Sequence, residues 1–348
     1  MDQKKEEMVV EIWQKEWIVG RVKTSKPAFE SYESLSSIAN LITTPAKTRE
    51  EFIEECKKGK LDGVLVIFRT FQSVSVTGRF DEELVKELPK SVKFVCHNGA
   101  GYDQIDVEVC TKHNIHISNV PTAVDNCTAD TTVFLILSAL RGFNSTLNAL
   151  RQGKWRGDPP PPLGHDPEGK VLGILGMGGI GRNLKKKMDA FGMKVQYYNR
   201  RKLDDEAAGG AKYVEFEELL KTSDILSINV PLNPKTRHML SGPQFDLMKP
   251  GVVIVNTARG AVMDEAALVK ALDSGKVASV GLDVYEEEPK VHEGLVNNER
   301  VTLLPHMGTW TVETQTAMEM WNIQNVKMAI EKGRLKSPVP EQEDMPYD

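Results

Sequence analysis

The stretch "KVLGILGMGGIG", residues 170–181, constrains the fold of this chain more than any other. A near-continuous apolar run ends abruptly in glycines, and runs of that kind belong to strands covered on both faces, as in parallel sheets flanked by helices. Directly afterwards Ile180, Leu184 and Met188 fall on one face at helical spacing, so the glycines lie in a strand-to-helix turn. In such a turn Gly176 permits the tight bend, Gly178 lets the backbone approach a pyrophosphate, and Gly181 lets helix and strand pack closely. Gly179 and Ile180 complete the loop and open the helix, whose amino end receives the phosphates. The pattern is that of a dinucleotide-binding unit.

Strand and helix patterns alternate on both sides of this turn. Before it come "WIVGRV", "FESYESLSSIA", "LITTP", "TREEFIEECKKG", "GVLVIF", "RFDEELVKEL" and "VKFVCHN", which read as a parallel α/β unit. "TADTTVFLILSALRGFNSTLNALRQGKW" then predicts one long, mostly buried helix with Thr128 as its N-cap. The prolines of "RGDPPPPLGHDPEGK" end it in an extended segment, with a turn at 166–169. Strands at "KVQYY", "ILSINV", "GVVIVN", "SVGLDV" and "VTLLP" follow the glycine turn and predict a doubly wound sheet. A last helix, 312–332, has no strand after it and is expected to return to the first unit. The expected architecture is α/β: two Rossmann-like or flavodoxin-like parallel-sheet domains, with a cofactor domain (125–309) inserted in a substrate-binding domain (1–124 and 310–348). Residues 337–348 read as a mobile tail.

Length supports two cores, since 348 residues exceed what one usually serves. A formal net charge of -5 gives no general attraction for nucleic acid or an anionic membrane. No run of about 18 apolar residues is present to span a bilayer. The four cysteines lack zinc-ligand spacing, so no metal is expected and a reducing compartment is the simplest reading. The first residues suit neither a signal peptide nor a transit peptide, which favours the cytoplasm.

About twenty residues beyond the glycines, an NAD site normally presents an acid to the ribose hydroxyls. Here Asn199 stands at that position, followed by Arg200, Arg201 and Lys202. The missing carboxylate and the cations after it point to the 2'-phosphate of NADPH in preference to NADH, with arginine able to fork onto the phosphate.

Three phrases end at the carboxyl ends of predicted strands, where α/β sheets bind ligands: "VNTARG", "GLDVYEEEP" and "LLPHMGTW". Reducing a 2-oxo acid needs a cation to hold the carboxylate and polarise the ketone, and an acid to protonate the new alkoxide. Arg259 and His306 are of the right types, and Glu288 is the candidate carboxylate to orient the imidazole and favour its protonated form.

"GAGYDQID", "GILGMGGIGR", "NVPLNPKTRHML", "MKPGVVIVNTARGAVMDEAALVKAL", "GLDVYEEEP" and "LPHMGTW" together resemble the D-isomer-specific 2-hydroxyacid dehydrogenase family over roughly residues 60 to 335. "NGAGYDQIDVE", "GHDPEGK" and "LPHMGT" are most similar to its fungal glyoxylate/hydroxypyruvate reductases. The resemblance implies an Arg, Glu and His triad at Arg259, Glu288 and His306, and substrate-carboxylate binding by the backbone amides at Ala100 and Gly101. It implies cofactor contacts at Pro231 and Thr257, and places Asp283 near the nicotinamide carboxamide.

The expected activity is NADPH-dependent reduction of glyoxylate or hydroxypyruvate, with bulkier branched or aromatic 2-oxo acids as the alternative. Trp155 and Trp310 suit either, as walls of a small pocket or stacking platforms for a large substrate. The same family includes nucleotide-sensing corepressors, disfavoured by the complete triad and the short tail. Formate dehydrogenase chemistry is disfavoured because it needs no His–Glu proton donor. The apolar 128–150 helix and the proline arm 158–162 predict a two-fold homodimer, and residues 120–127 and 306–312 are expected to be hinge crossings.

Overall fold

A computed structural model describes residues 8–12 and 25–347. The chain divides into two compact units: the first is Met1–Val124 with Thr311–Asp348, and the second, Asp125–Trp310, is inserted in sequence between those segments.

The first unit holds a five-stranded, all-parallel sheet in the order β2-β1-β3-β4-β5, made of Met8–Ile12 (β1), Asn40–Thr43 (β2), Val64–Thr70 (β3), Phe94–Asn98 (β4) and His116–Ser118 (β5). Side chains alternate across a strand, and the alternation is visible in the cores. Ile67 and Val95 pack on one face with Phe52, Phe80 and Ile117, while Val66, Phe68, Phe94 and Cys96 pack on the other under Ile323, Val326 and Ala329 of the helix Val312–Lys332. Thr48 and Asp106 cap the helices Arg49–Lys57 and Val107–Lys112 by accepting from Glu51 and Val109 backbone N–H groups. The expected strand "WIVGRV" lies outside the described residues; the first strand observed is Met8–Ile12, between β2 and β3.

The second unit is a seven-stranded parallel sheet in the order β12-β11-β10-β9-β6-β7-β8. Its strands are Val171–Leu175 (β6), Lys194–Tyr198 (β7), Lys212–Tyr213 (β8), Ile225–Ile228 (β9), Val252–Asn256 (β10), Val277–Leu282 (β11) and Val301–Leu303 (β12). From β6 the chain builds outward through β7 and β8, then returns to β9 on the other side. Strand order therefore reverses beside β6, and in open α/β sheets ligands bind in the crevice at the carboxyl ends of strands flanking such a reversal.

Two expectations need correction. The single long helix from Thr128 is two helices, Asp125–Arg141 and Phe143–Arg151, bent by 78°. Gly142 sits between them at φ 62, a left-handed conformation that breaks the apolar periodicity at little steric cost, and Thr128 lies one turn inside the first helix. The carboxyl-terminal residues are docked, not loose. Val339 is fully buried, Pro338 bridges Ser118, and the Gln342 side chain accepts from the Ile117 N–H while donating to the Ile115 carbonyl and the Thr111 hydroxyl. One apolar anchor and one fully satisfied amide suffice to hold a polar segment against the edge of β5. Among the described residues Cys56, Cys96, Cys110 and Cys127 form no disulfide. Burial pushes the thiols of the first three up to about 12, which keeps them protonated and unreactive.

Candidate active site

The glycine turn is built as its spacing requires. Gly176 has φ 96, and a Cβ there would lie 2.8 Å from backbone atoms at the end of β9. A Cβ on Gly181 would lie 2.8 Å from the Gly176 carbonyl, so helix Gly179–Asp189 packs against the turn only without one. Gly178 differs: a Cβ there meets nothing within 4 Å, which leaves open space over the backbone at the helix amino end. Ile180 packs against the core formed by Leu172, Ile174 and Leu184.

Asn199, at the end of β7, accepts a 2.6 Å hydrogen bond from the Met177 N–H, so this side chain pins the glycine turn itself. Arg200, Arg201 and Lys202 beyond it are exposed and make no ion pair among the described residues. The exposed Pro231 accepts from the Thr236 hydroxyl through its carbonyl. The Thr257 hydroxyl lies 2.9 Å from that of Thr132.

Sequence reasoning missed a carboxylate at this turn. A Cβ on Gly179 would lie 2.0 Å from Asp125 Oδ2, so Asp125 lies against the first residue of the helix Gly179–Asp189. Burial pushes its carboxyl up to about 6, against the opposing charge of Arg182. The fold thus disfavours its ionised form, whereas the unfolded chain ionises it near 3.8. The destabilisation is complete above about pH 6 and disappears below the unfolded value. Asp125→Asn is expected to denature at a higher temperature than wild type at pH 8, and the gap to close as pH falls between those limits. A gap that widens on acidification contradicts this.

His306, Glu288 and Arg259 all belong to the second unit. His306 Nδ1 lies 2.8 Å from Glu288 Oε2, while Glu288 Oε1 accepts from the Tyr285 N–H at 3.0 Å. Burial works against the charge on Glu288, but the hydrogen bond and charge of His306, the Tyr285 amide and the charge of Arg259 outweigh it and hold the carboxyl below its ordinary value. The three adjacent glutamates part company here: Glu286 pairs with His238 and Arg237, Glu287 faces Lys290, and Glu288 alone meets His306.

His306 has φ 56, a left-handed backbone uncommon outside glycine and asparagine. Asp283, almost wholly buried, fixes it there. The His306 N–H donates to the Asp283 carbonyl, and the carboxylate accepts from the Met307 and Gly308 N–H groups at 2.6 and 2.7 Å. Burial keeps the Asp283 carboxyl above the usual range despite those amides and His306. Arg259 is held by Asn256, fully buried, whose side chain donates to the Arg259 carbonyl and accepts from the Ala258 N–H. A Cβ on Gly260 would lie 1.8 Å from the Tyr285 carbonyl carbon, so only glycine lets the arginine loop close on the glutamate loop.

In the first unit, Ala100 and Gly101 lie in the loop after β4. The Gly99, Ala100 and Gly101 carbonyls accept from the Val120 N–H, Asn119 Nδ2 and His97 Nε2, at 2.9, 2.8 and 2.9 Å. Among the described residues the Ala100 and Gly101 amides donate to no protein acceptor. Consecutive amides with no protein acceptor are available to a bound anion.

Residues 133–308 match the family described as D-isomer specific 2-hydroxyacid dehydrogenase, NAD binding domain. The chain is 55% identical over 318 residues to 4-methyl-2-oxopentanoate reductase A of Aspergillus oryzae, covering 91% of this chain and 96% of that one. It is similar to the crystal structure of a glyoxylate reductase from Paecilomyes thermophila, with TM-score 0.92, 51% identity, and coverage of 97% and 99%. It is also similar to an NADPH-dependent glyoxylate/hydroxypyruvate reductase from Sinorhizobium meliloti in complex with NADP and malonate, with TM-score 0.81, 27% identity and 97% of each chain covered. With two parallel-sheet α/β units, a glycine turn at the strand reversal and relatives of this identity along nearly its whole length, the chain belongs to the D-isomer-specific 2-hydroxyacid dehydrogenases, oxidoreductases that act on 2-oxo acids.

Proposed function

We propose that this protein is an NADPH-dependent reductase of small 2-oxo acids, glyoxylate and hydroxypyruvate first among them. In this reading the second unit is the dinucleotide domain and the first the substrate-binding domain. The open space at Gly178, beside the close packing that Gly181 allows, fits a pyrophosphate on the helix amino end. Gly176, Gly178, Gly179, Ile180 and Gly181 hold the phosphates, Arg200 and Arg201 take the 2'-phosphate, Asn199 supports the turn, and Pro231, Thr257 and Asp283 hold the rest. A reduced nicotinamide bound there supplies the hydride that reduces the ketone carbon.

The observation that carries the reading is the His306–Glu288 pair at 2.8 Å. With Nδ1 bonded to the carboxylate, the proton passed to the ketone oxygen is the one on Nε2, and the charged Glu288 stabilises the imidazolium that delivers it. Arg259 holds the carboxylate and polarises the ketone through its planar fork. The Ala100 and Gly101 amides take the substrate carboxylate.

The name of the Aspergillus oryzae relative favours a second reading, in which a branched 2-oxo acid is the better substrate. Steady-state kcat/KM for glyoxylate, hydroxypyruvate and 4-methyl-2-oxopentanoate with NADPH decides between them. The proposal expects the two small acids to lead, and a lead for the branched acid favours the second reading.

The protein is further proposed to be cytoplasmic, in keeping with cysteines that form no disulfide, and to act as a homodimer. Phe134, Leu147, Leu150 and Trp155 are 47%, 47%, 52% and 75% exposed on or just after the two bent helices, and Leu163 of the proline arm is 96% exposed. Exposed apolar side chains recurring along one stretch of chain support this reading, since a two-fold partner would cover them. Light scattering at micromolar concentration is expected to give twice the chain mass; a monomeric mass contradicts the dimer.

A further inference from the structure

The Gly99–Gly101 loop depends on residues far away in sequence. Its Ala100 carbonyl is held by Asn119, and Asn119 is held in turn by the carboxyl-terminal segment. Ser337 Oγ donates to the Asn119 carbonyl at 2.7 Å, and the Asn119 N–H points back to the Ser337 carbonyl at 3.4 Å. The Ser337 hydroxyl is itself fixed by Trp321 Nε1 at 2.9 Å and Asn325 Nδ2 at 3.0 Å, while the Ser337 N–H donates to Asn325 Oδ1. Asn325 is fully buried in helix Val312–Lys332. On the other side of the loop, His97, also fully buried, holds the Gly101 carbonyl, and a Cβ on Gly99 would lie 2.7 Å from its Nε2. The loop is thus clamped between a strand histidine and a latch that begins more than two hundred residues later.

We propose that Asn119 is a positioning residue that aims the Gly101 amide at the substrate carboxylate, that His97 steadies the same loop by holding its last carbonyl, and that Ser337 latches Asn119 in place. The inference rests on reading this loop as the carboxylate-binding element. The Ala100 carbonyl shares its peptide plane with the Gly101 N–H, and the Gly99 carbonyl shares its plane with the Ala100 N–H, so the ties from Asn119 and from the Val120 N–H orient both amides, while His97 fixes the next plane and with it the end of the loop. Amides aimed in advance bind an anion without first losing the freedom of the loop. Losing one tie leaves the loop able to rotate, so the cost falls on substrate binding and not on the dinucleotide, which the other unit holds.

The test is steady-state kinetics with glyoxylate, together with NADPH Kd by fluorescence, for His97→Leu, Asn119→Ala and Ser337→Ala. Each is expected to raise KM about three- to tenfold, the worth of roughly one hydrogen bond, with kcat and the NADPH Kd within about twofold of wild type. His97→Gln places an amide nitrogen close to Nε2 and is expected to restore most of the loss. KM unchanged in these variants overturns the inference, as does a matching rise in NADPH Kd, which marks general loosening, or a failure of His97→Gln to rescue. A wild-type chain that turns over no 2-oxo acid removes the functional reading, and this inference with it.

Discussion

His306→Asn is expected to leave the fold and NADPH binding intact while cutting turnover with glyoxylate by about 10²–10⁴-fold, the usual contribution of a general acid. Asparagine is the appropriate replacement. His306 sits at φ 56, and asparagine tolerates that backbone better than other side chains, so the Asp283 bonds to the amides of residues 307 and 308 survive. Glu288→Gln keeps a hydrogen-bond acceptor at Nδ1 but removes the charge that the fold stabilises there, and a smaller loss is expected. Arg259→Lys is expected to raise KM and lower kcat together, because an ammonium cannot fork across carboxylate and ketone. Near-wild-type turnover by His306→Asn means that the proton comes from elsewhere.

Replacing Arg200 and Arg201 together by neutral residues is expected to weaken NADPH binding by about two to four orders of magnitude, since hydrogen bonds to charged groups contribute about 1.5–3 kcal/mol each. Both side chains are exposed and unpaired among the described residues, so no folded-state contact is lost with them. NADH, which lacks the 2'-phosphate, is expected to bind the variant as it binds wild type. Titration of both cofactors by fluorescence checks this, and equal losses assign the arginines a supporting role instead.

What the sequence discloses depends on how local the physics is. The glycine turn was legible because its requirements lie within a dozen residues: a strand, a bend, a close approach, a helix. The alternation of strands and helices was legible for the same reason, as was the end of the last helix at Lys332, where Gly333 takes a left-handed cap. Gly142 was passed over because the apolar positions on both sides continue a helical pattern, and only the observed turn of the chain shows the break. The docking of 337–347 was invisible in a polar, proline-containing stretch whose hold depends on Val339 and Gln342 meeting β5 across more than two hundred residues. Asp125, Asn119 and Ser337 were missed on the same ground. Nothing near them in sequence marks them, because each acts on a loop that only the tertiary fold brings within reach.

The proposed activity meets its most direct test in the purified wild-type chain mixed with NADPH and excess glyoxylate, with the reduced cofactor followed by absorbance and the 2-hydroxy acid quantified in the same sample. The account predicts equimolar loss of NADPH and gain of 2-hydroxy acid, faster than with NADH at equal concentration. Tight binding of NADPH with no oxidation by glyoxylate, hydroxypyruvate or 4-methyl-2-oxopentanoate would contradict it, and would identify the chain as a nucleotide-binding protein that keeps the triad without using it.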